Sequence, residues 1–239
     1  MRAIDDAALL EAWDTCAATP RPSRELGLLA ALEGTSADEL ATLPVGTVDR
    51  RMLALHQRLV GSTFEGEAAC PHCGAELSVA LDLAALPSRV TLPGASGLAF
   101  AAGDLAMRVV PPTFRDLIEA SRAPDAAAVL AARCVDARRD GDPVPVGDLP
   151  DEVLAQAEER IARVDPLCDL VLSITCAECA GTSNCTIDPG AMVLAAVDHR
   201  ARALINEVDV LARAYGWSEG EVLALPEARR AQYVERASL

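Results

Sequence analysis

The chain has 239 residues, enough for one large or two small domains with a proper core. It is 51% hydrophobic with only three Phe, two Trp and two Tyr, so that core is built from Ala, Leu and Val. Its formal charge of −15, with arginine as the only strongly basic side chain, repels a phosphate backbone and argues against general nucleic-acid binding.

Residues 5–17 place Ala8, Leu9, Ala12, Trp13 and Cys16 at helical spacing. A second helix is predicted from an N-cap at Ser23 to Gly34, and a third from a cap at Thr47 to Gly61, with Met52, Leu55, Leu59 and Val60 as its buried stripe. The period then changes. In "TFEGEAACPHCGAELSVALDL", Leu77, Val79 and Leu81 alternate with Glu76, Ser78 and Asp82, which reads as strand, turn, strand. "LAFAAGDLAMRVVPP" is a second hairpin turning at "GD", followed by a capping box from Thr113 to Asp116. Helices are expected over about 124–138 and 150–164, joined by the loop "RRDGDPVPVGD". "DLVLSITCAECAGTSNCTID" repeats the strand–knuckle–strand pattern. A long helix runs from Pro189 to about Tyr215, with Val197, Ala201, Leu204, Val208, Leu211 and Tyr215 on one seam. Gly216 ends it, Ser218 caps a short helix, and Pro226 opens a last one.

The first twenty residues carry acids where a signal peptide needs an apolar core, and no apolar run approaches the roughly 20 residues of a membrane helix. A cytoplasmic location is expected, where thiols stay reduced. Of the eight cysteines, Cys70/Cys73 and Cys176/Cys179 form two CxxC pairs, each on a predicted hairpin. Such a turn supplies two thiolates at the bite a tetrahedral ion needs, and glycine after the second cysteine permits positive φ. Two such turns make a four-cysteine zinc ribbon with no open position for catalysis. Its halves are 102 residues apart, a loop whose closure costs little more than a short one. A redox dithiol would sit where a strand runs into a helix N-terminus; here a strand follows. Cys185 is a candidate substitute ligand, while Cys16, Cys134 and Cys168 read as small buried hydrophobes. His72 is expected to point outward from the first knuckle; His56 and His199 fall on helices as core or surface residues.

Two short matches carry less. "GWSEG", Gly216–Gly220, fits a nucleophile elbow, but that motif needs a preceding strand and a later histidine, and Ser218 reads as a helix cap. "LARAYGWSEGEVLAL" has a helix–turn–helix outline whose second helix starts on Glu219 and Glu221, with Arg229 and Arg230 as its only basic support. No phosphate-binding loop, dinucleotide fingerprint or HExxH is present, and the chain does not read as an enzyme.

Three stretches together carry a resemblance: "LATLPVGTVDRRMLALHQRLVGSTFEGEAACPHCGAELSVALDL", "DPLCDLVLSITCAECAGT" and "DHRARALINEVDVLARAYGWSEGEVLALPEARRAQYV". From about residue 40 onward the chain resembles a family of zinc-knuckle baseplate hub and assembly proteins of contractile-tailed phages and extracellular contractile injection systems. It departs from that pattern in "CAECA", which lacks proline and an adjacent glycine, and at Met192, Val193 and Leu194, where the family has bulky aromatics. The resemblance implies an assembly role and no catalytic residues.

The expected fold is α+β, predominantly helical, with one β-hairpin zinc ribbon. Its expected parts are a helical region (1–62), the first knuckle hairpin (63–86), an inserted hairpin plus helices (87–168), the second knuckle hairpin (169–188) and a C-terminal helical region (189–239). The expected ligands are Cys70, Cys73, Cys176 and Cys179, with zinc as a structural cofactor. The expected function is a structural or chaperone-like component of a baseplate, docking on other tail proteins. Its candidate surface comprises Val197, Leu204, Val208, Leu211, Tyr215, Trp217 and Tyr233. No membrane partner or small-molecule substrate is expected. The alternative is a zinc-ribbon, helix–turn–helix regulator that binds nucleic acid.

Overall fold

The computed structural model describes residues 4–86 and 97–237, a mixed α/β chain that is 54% helical and 20% strand, with small antiparallel sheets. The start of the inserted segment, 87–96, lies outside the described residues. No helix among the described residues is long and apolar enough to cross a membrane.

Leucine-rich helices build the main core. α1 (Asp6–Cys16) is capped by Asp5, whose carboxylate accepts from the amides of Ala7 and Ala8. α2 (Ser23–Glu33) ends at Gly34 in the left-handed conformation, and α3 (Ala37–Ala41) leads to α4 (Val45–Leu59). Ser23 is the first helical residue of α2 and not its cap; Pro22 holds that place. Leu9, Leu26, Leu29, Leu40, Val48, Met52 and Leu55 pack on Val193, Val197, Ala201 and Leu204 of α8 (Pro189–Tyr215). α4 starts two residues before the expected cap at Thr47, because its first amide needs no side chain: Val45 N–H donates to the Pro112 carbonyl at 2.9 Å.

From the end of α4 the chain enters β1 (Thr63–Ala69), antiparallel to β2 (Glu76–Asp82) with Ala69 opposite Glu76. β7 (Val171–Thr175) and β8 (Thr182–Thr186) form a second hairpin, Thr175 opposite Thr182, and feed α8 through a cap at Asp188. The two hairpins thus leave and enter two helices packed on each other, with Leu53, Leu83, Ile187 and Met192 buried between their bases.

The inserted segment has its own sheet, ordered β3 (Leu98–Ala102), β4 (Leu105–Val109), β5 (Val135–Arg139) and β6 (Asp142–Val144). α5 (Phe114–Ala120) has the expected Thr113–Asp116 capping box, and α6 (Ala126–Cys134) and α7 (Asp151–Val164) follow. This corrects the expected helix over 124–138 and the loop after it. The helix stops at Cys134, and Val135–Arg139 pairs with β4. Asp140 and Gly141 then turn the chain at φ 51° and 95°, the two positive values that a tight hairpin of this kind demands. Leu105, Met107 and Ala137 pack under Leu149 and Val153 as a separate small core.

At the C-terminal end, α9 (Glu219–Leu223) and α10 (Glu227–Ala237) fold back on α8. Arg230 is 1% exposed, ion-paired to Glu207 and Asp6, so it has no surface to offer a phosphate. Ser218 is indeed a cap, its hydroxyl and amide both donating to Glu221, and a helix, not a strand, precedes it.

Candidate metal centre

Both knuckles are built by the same backbone bonds. Cys70 N–H donates to the Ala75 carbonyl and Gly74 N–H to the Cys70 carbonyl, each at 2.8 Å. In the second knuckle Cys176 N–H reaches Gly181 O and Ala180 N–H reaches Cys176 O, each at 2.9 Å. Gly74 has φ 77°, and the matching residue is Ala180 at φ 57°, not Gly181. An L-residue in that region costs about 1–2 kcal/mol, so the second knuckle carries strain the first lacks.

The tips of the two hairpins meet. The sulfurs of Cys70, Cys73, Cys176 and Cys179 all lie within 4.8 Å of one another. Cys70 Sγ is 3.8 Å from Cys179 Sγ, and Cys73 Sγ is 3.8 Å from Cys176 Sγ. A tetrahedral ion with metal–sulfur bonds of about 2.3 Å requires sulfur–sulfur edges of roughly 3.8 Å, so the residues present fit such an ion. Cys70 and Cys176 are buried beside Leu77 and Ile174; Cys73 and Cys179 are exposed.

The electrostatics suit a cation. The amides of His72 and Cys73 donate to Cys70 and hold its thiol down at about 6 against burial. Cys73 gains from the Ala75 amide, but the sulfurs of Cys179, Cys70 and Cys176, together with burial, push it up to about 12. Four crowded sulfurs cannot all ionise alone, and a metal ion would supply the missing positive charge.

His72 reaches across the joint, its Nε2 lying 3.3 Å from the Thr182 carbonyl. A Cβ on Gly181 would come within 2.6 Å of His72 Cδ2 and 3.3 Å of Cys179 Sγ, so only glycine leaves room for this bridge. His72 is exposed and outside the four-sulfur cluster, as expected, but its ring also touches the other knuckle. Its only sequence signal is the glycine displaced by one position in "CAECAG".

The remaining candidates lie elsewhere. Cys185 sits on β8 against the Leu53–Leu83–Ile187 cluster, away from the four sulfurs. Cys16 and Cys134 are buried. Burial and Asp116 push the Cys134 thiol up to about 11; burial, then Asp165, Asp169 and Asp49, push Cys168 up to about 12. His56 is buried edge-on to Phe64, its pKa lowered by burial, and His199 is exposed on α8. Of the candidate docking residues, Val197, Leu204 and Leu211 are 0% exposed and belong to the core; they are not a surface. Val208 is half-buried. Tyr215, 41% exposed, stacks on Trp217 at 4.8 Å, and Tyr233 meets both rings edge-on at 5.8 and 5.1 Å.

A second tie spans the inserted segment. Gly46 N–H donates to Asp165 Oδ2 at 3.0 Å, and a Cβ there would fall 1.9 Å from Asp165 Oδ1. This joins "LPVG" to "VDPL", two stretches the sequence shows only as separate dipeptides with proline. Comparison with known proteins returns no matching family model, no matching curated protein and no matching solved structure.

Proposed function

We propose that the protein is a non-enzymatic structural or assembly component of a contractile, phage-tail-like baseplate, closed by one structural zinc and acting by docking on other tail proteins. The observation that carries the structural role is the four-sulfur cluster at tetrahedral spacing, joining hairpins 102 residues apart. Zinc is the ion of choice for four thiolates, and a fully thiolate-ligated ion has no position left for substrate. The baseplate assignment rests on the resemblance of the three quoted stretches. The aromatic corner of Tyr215, Trp217 and Tyr233 is the docking surface, since aromatic residues presenting both apolar face and polar edge dominate protein interfaces.

The test has two parts. Native mass spectrometry of the purified chain is expected to find one zinc, lost on chelation. Co-purification with the sheath, tube and wedge products of neighbouring genes is expected, and Tyr215→Ala with Trp217→Ala abolishes it. Tight, salt-sensitive DNA binding in a shift assay would instead establish the regulator. Against that rival, α9 is five residues long and opens on Glu219 and Glu221, while Arg230 is buried.

A further inference from the structure

α6 breaks the rule that surface helices are two-faced. Its sequence, "AAAVLAARC", has one charge in nine residues, and a helix apolar all round belongs in a core. Yet only Cys134 is fully buried, and Ala126, Ala127, Ala128 and Ala132 are exposed. Between α6 and α7 runs a groove of about 910 Å³. Ala128, Leu130 and Ala131 of α6 and Leu154 and Ile161 of α7 give it an apolar floor. Glu158, Glu159 and Asp169 also line it, and among the described residues no arginine does. Of the arginines of α7, Arg160 lies over the Phe100 ring at 3.8 Å, and Arg163 pairs with Glu159 at 2.6 Å, which leaves Glu158 and Asp169 as the carboxylates the rim offers a partner.

These features select an occupant. Alanine side chains are too short to fill the groove, so the large side chains must come from outside. Along α7 the lining runs from Leu154 to Ala162, about 12 Å, long enough to seat two turns of a helix. A second copy of the chain is disfavoured, because a two-fold pairing of this face sets the same carboxylates against each other in a chain of charge −15. An acyl chain ending in a carboxylate meets the same repulsion. A helix with a leucine-type face and basic flanks satisfies both floor and rim.

We propose that the α6/α7 groove is a docking site for a basic amphipathic helix of a partner protein, its apolar face on Ala128, Ala131, Leu154 and Ile161 and its basic flanks against Glu158 and Asp169. This surface is separate from the aromatic corner and from the metal centre.

The probe is a fluorescein-labelled 16-residue peptide with Leu at i, i+3, i+4 and i+7 and Lys elsewhere, titrated with the full metal-loaded chain in physiological salt. Fluorescence anisotropy is expected to show micromolar binding. A peptide of the same composition with its leucines dispersed binds at least tenfold more weakly, as does one with Glu replacing Lys. Ala131→Trp, which fills the groove, weakens binding at least tenfold; Glu158→Arg with Asp169→Arg, both at exposed positions, weakens it at least fivefold and leaves the circular dichroism spectrum unchanged. The proposal is overturned by no binding, by equal binding of the dispersed peptide, by indifference to the charge reversal, by displacement of the peptide by a fatty acid at lower concentration, or by a solution dimer that Ala131→Trp dissociates. Because the probe is a designed peptide and not a tail protein, failure of the baseplate reading leaves this result standing.

Discussion

The two knuckles share a backbone and differ in how that backbone is obtained. In the first, Gly74 enters the left-handed region without cost, and Pro71 stiffens the turn. In the second, Ala180 is held in the same region against its own side chain, and no proline helps. His72, from the first knuckle, supplies the cross-contact to Thr182 that the second cannot return. One jaw is pre-shaped; the other is shaped by what it grips. An ion bound by the four sulfurs would therefore matter more to residues 171–186 than to residues 63–82.

The largest effect expected is from losing the ion. Structural zinc contributes an apparent binding free energy of about 10–16 kcal/mol in isolated finger peptides at neutral pH. Cys176→Ser or a strong chelator is expected to lower Tm by roughly 10 °C or more, with amide exchange rising first in β7 and β8. Faster exchange in β1 and β2 would reverse the comparison. Next is pH. Cys73, pushed up to about 12, must release its proton to an ion throughout the neutral range, and below about 6 Cys70 must as well, so metal affinity is expected to fall with pH and more steeply below that value; competition with a chromophoric chelator between pH 7.5 and 5 reads the change of slope. Third, Gly181→Ala displaces His72 and costs about 0.5–1.5 kcal/mol, the worth of one hydrogen bond. His72→Ala costs the same, and the double variant costs no more than either alone, measured by urea denaturation. Smallest is the exchange at the left-handed position: Ala180→Gly stabilises the chain by up to about 1 kcal/mol, whereas Gly74→Ala destabilises it by a similar amount. Equal responses at 74 and 180 would erase the asymmetry.

What the sequence made legible follows from how local each determinant is. The knuckles were readable because ligand chemistry fixes the CxxC spacing and alternation fixes the flanking strands. The caps at Thr113 and Ser218 are equally local, a side chain meeting an amide three residues on. Val135–Arg139 was not readable as a strand, since an alanine-rich approach favours helix and the decision belongs to pairing with Leu105–Val109 across the sheet. The start of α4 failed for a related reason: Pro112, far along the chain, does the work expected of Thr47. The Gly46–Asp165 bond and the reach of His72 depend on which segments meet, which no window of sequence contains. The seam on α8 was found as a pattern, but periodicity cannot say whether a stripe faces the core or a partner; burial assigns Val197, Leu204 and Leu211 to the core.

α8 begins one turn from the second knuckle hairpin and ends at the Tyr215–Trp217 stack. Its 27 residues form a rod of about 40 Å with α4, α1 and α10 laid against it. A load applied at the aromatic end would meet no break in the helix before the hairpin that carries Cys176 and Cys179. If an ion joins the four sulfurs, α8 is a strut riveted at one end, and the rivet would decide how much force the strut can bear.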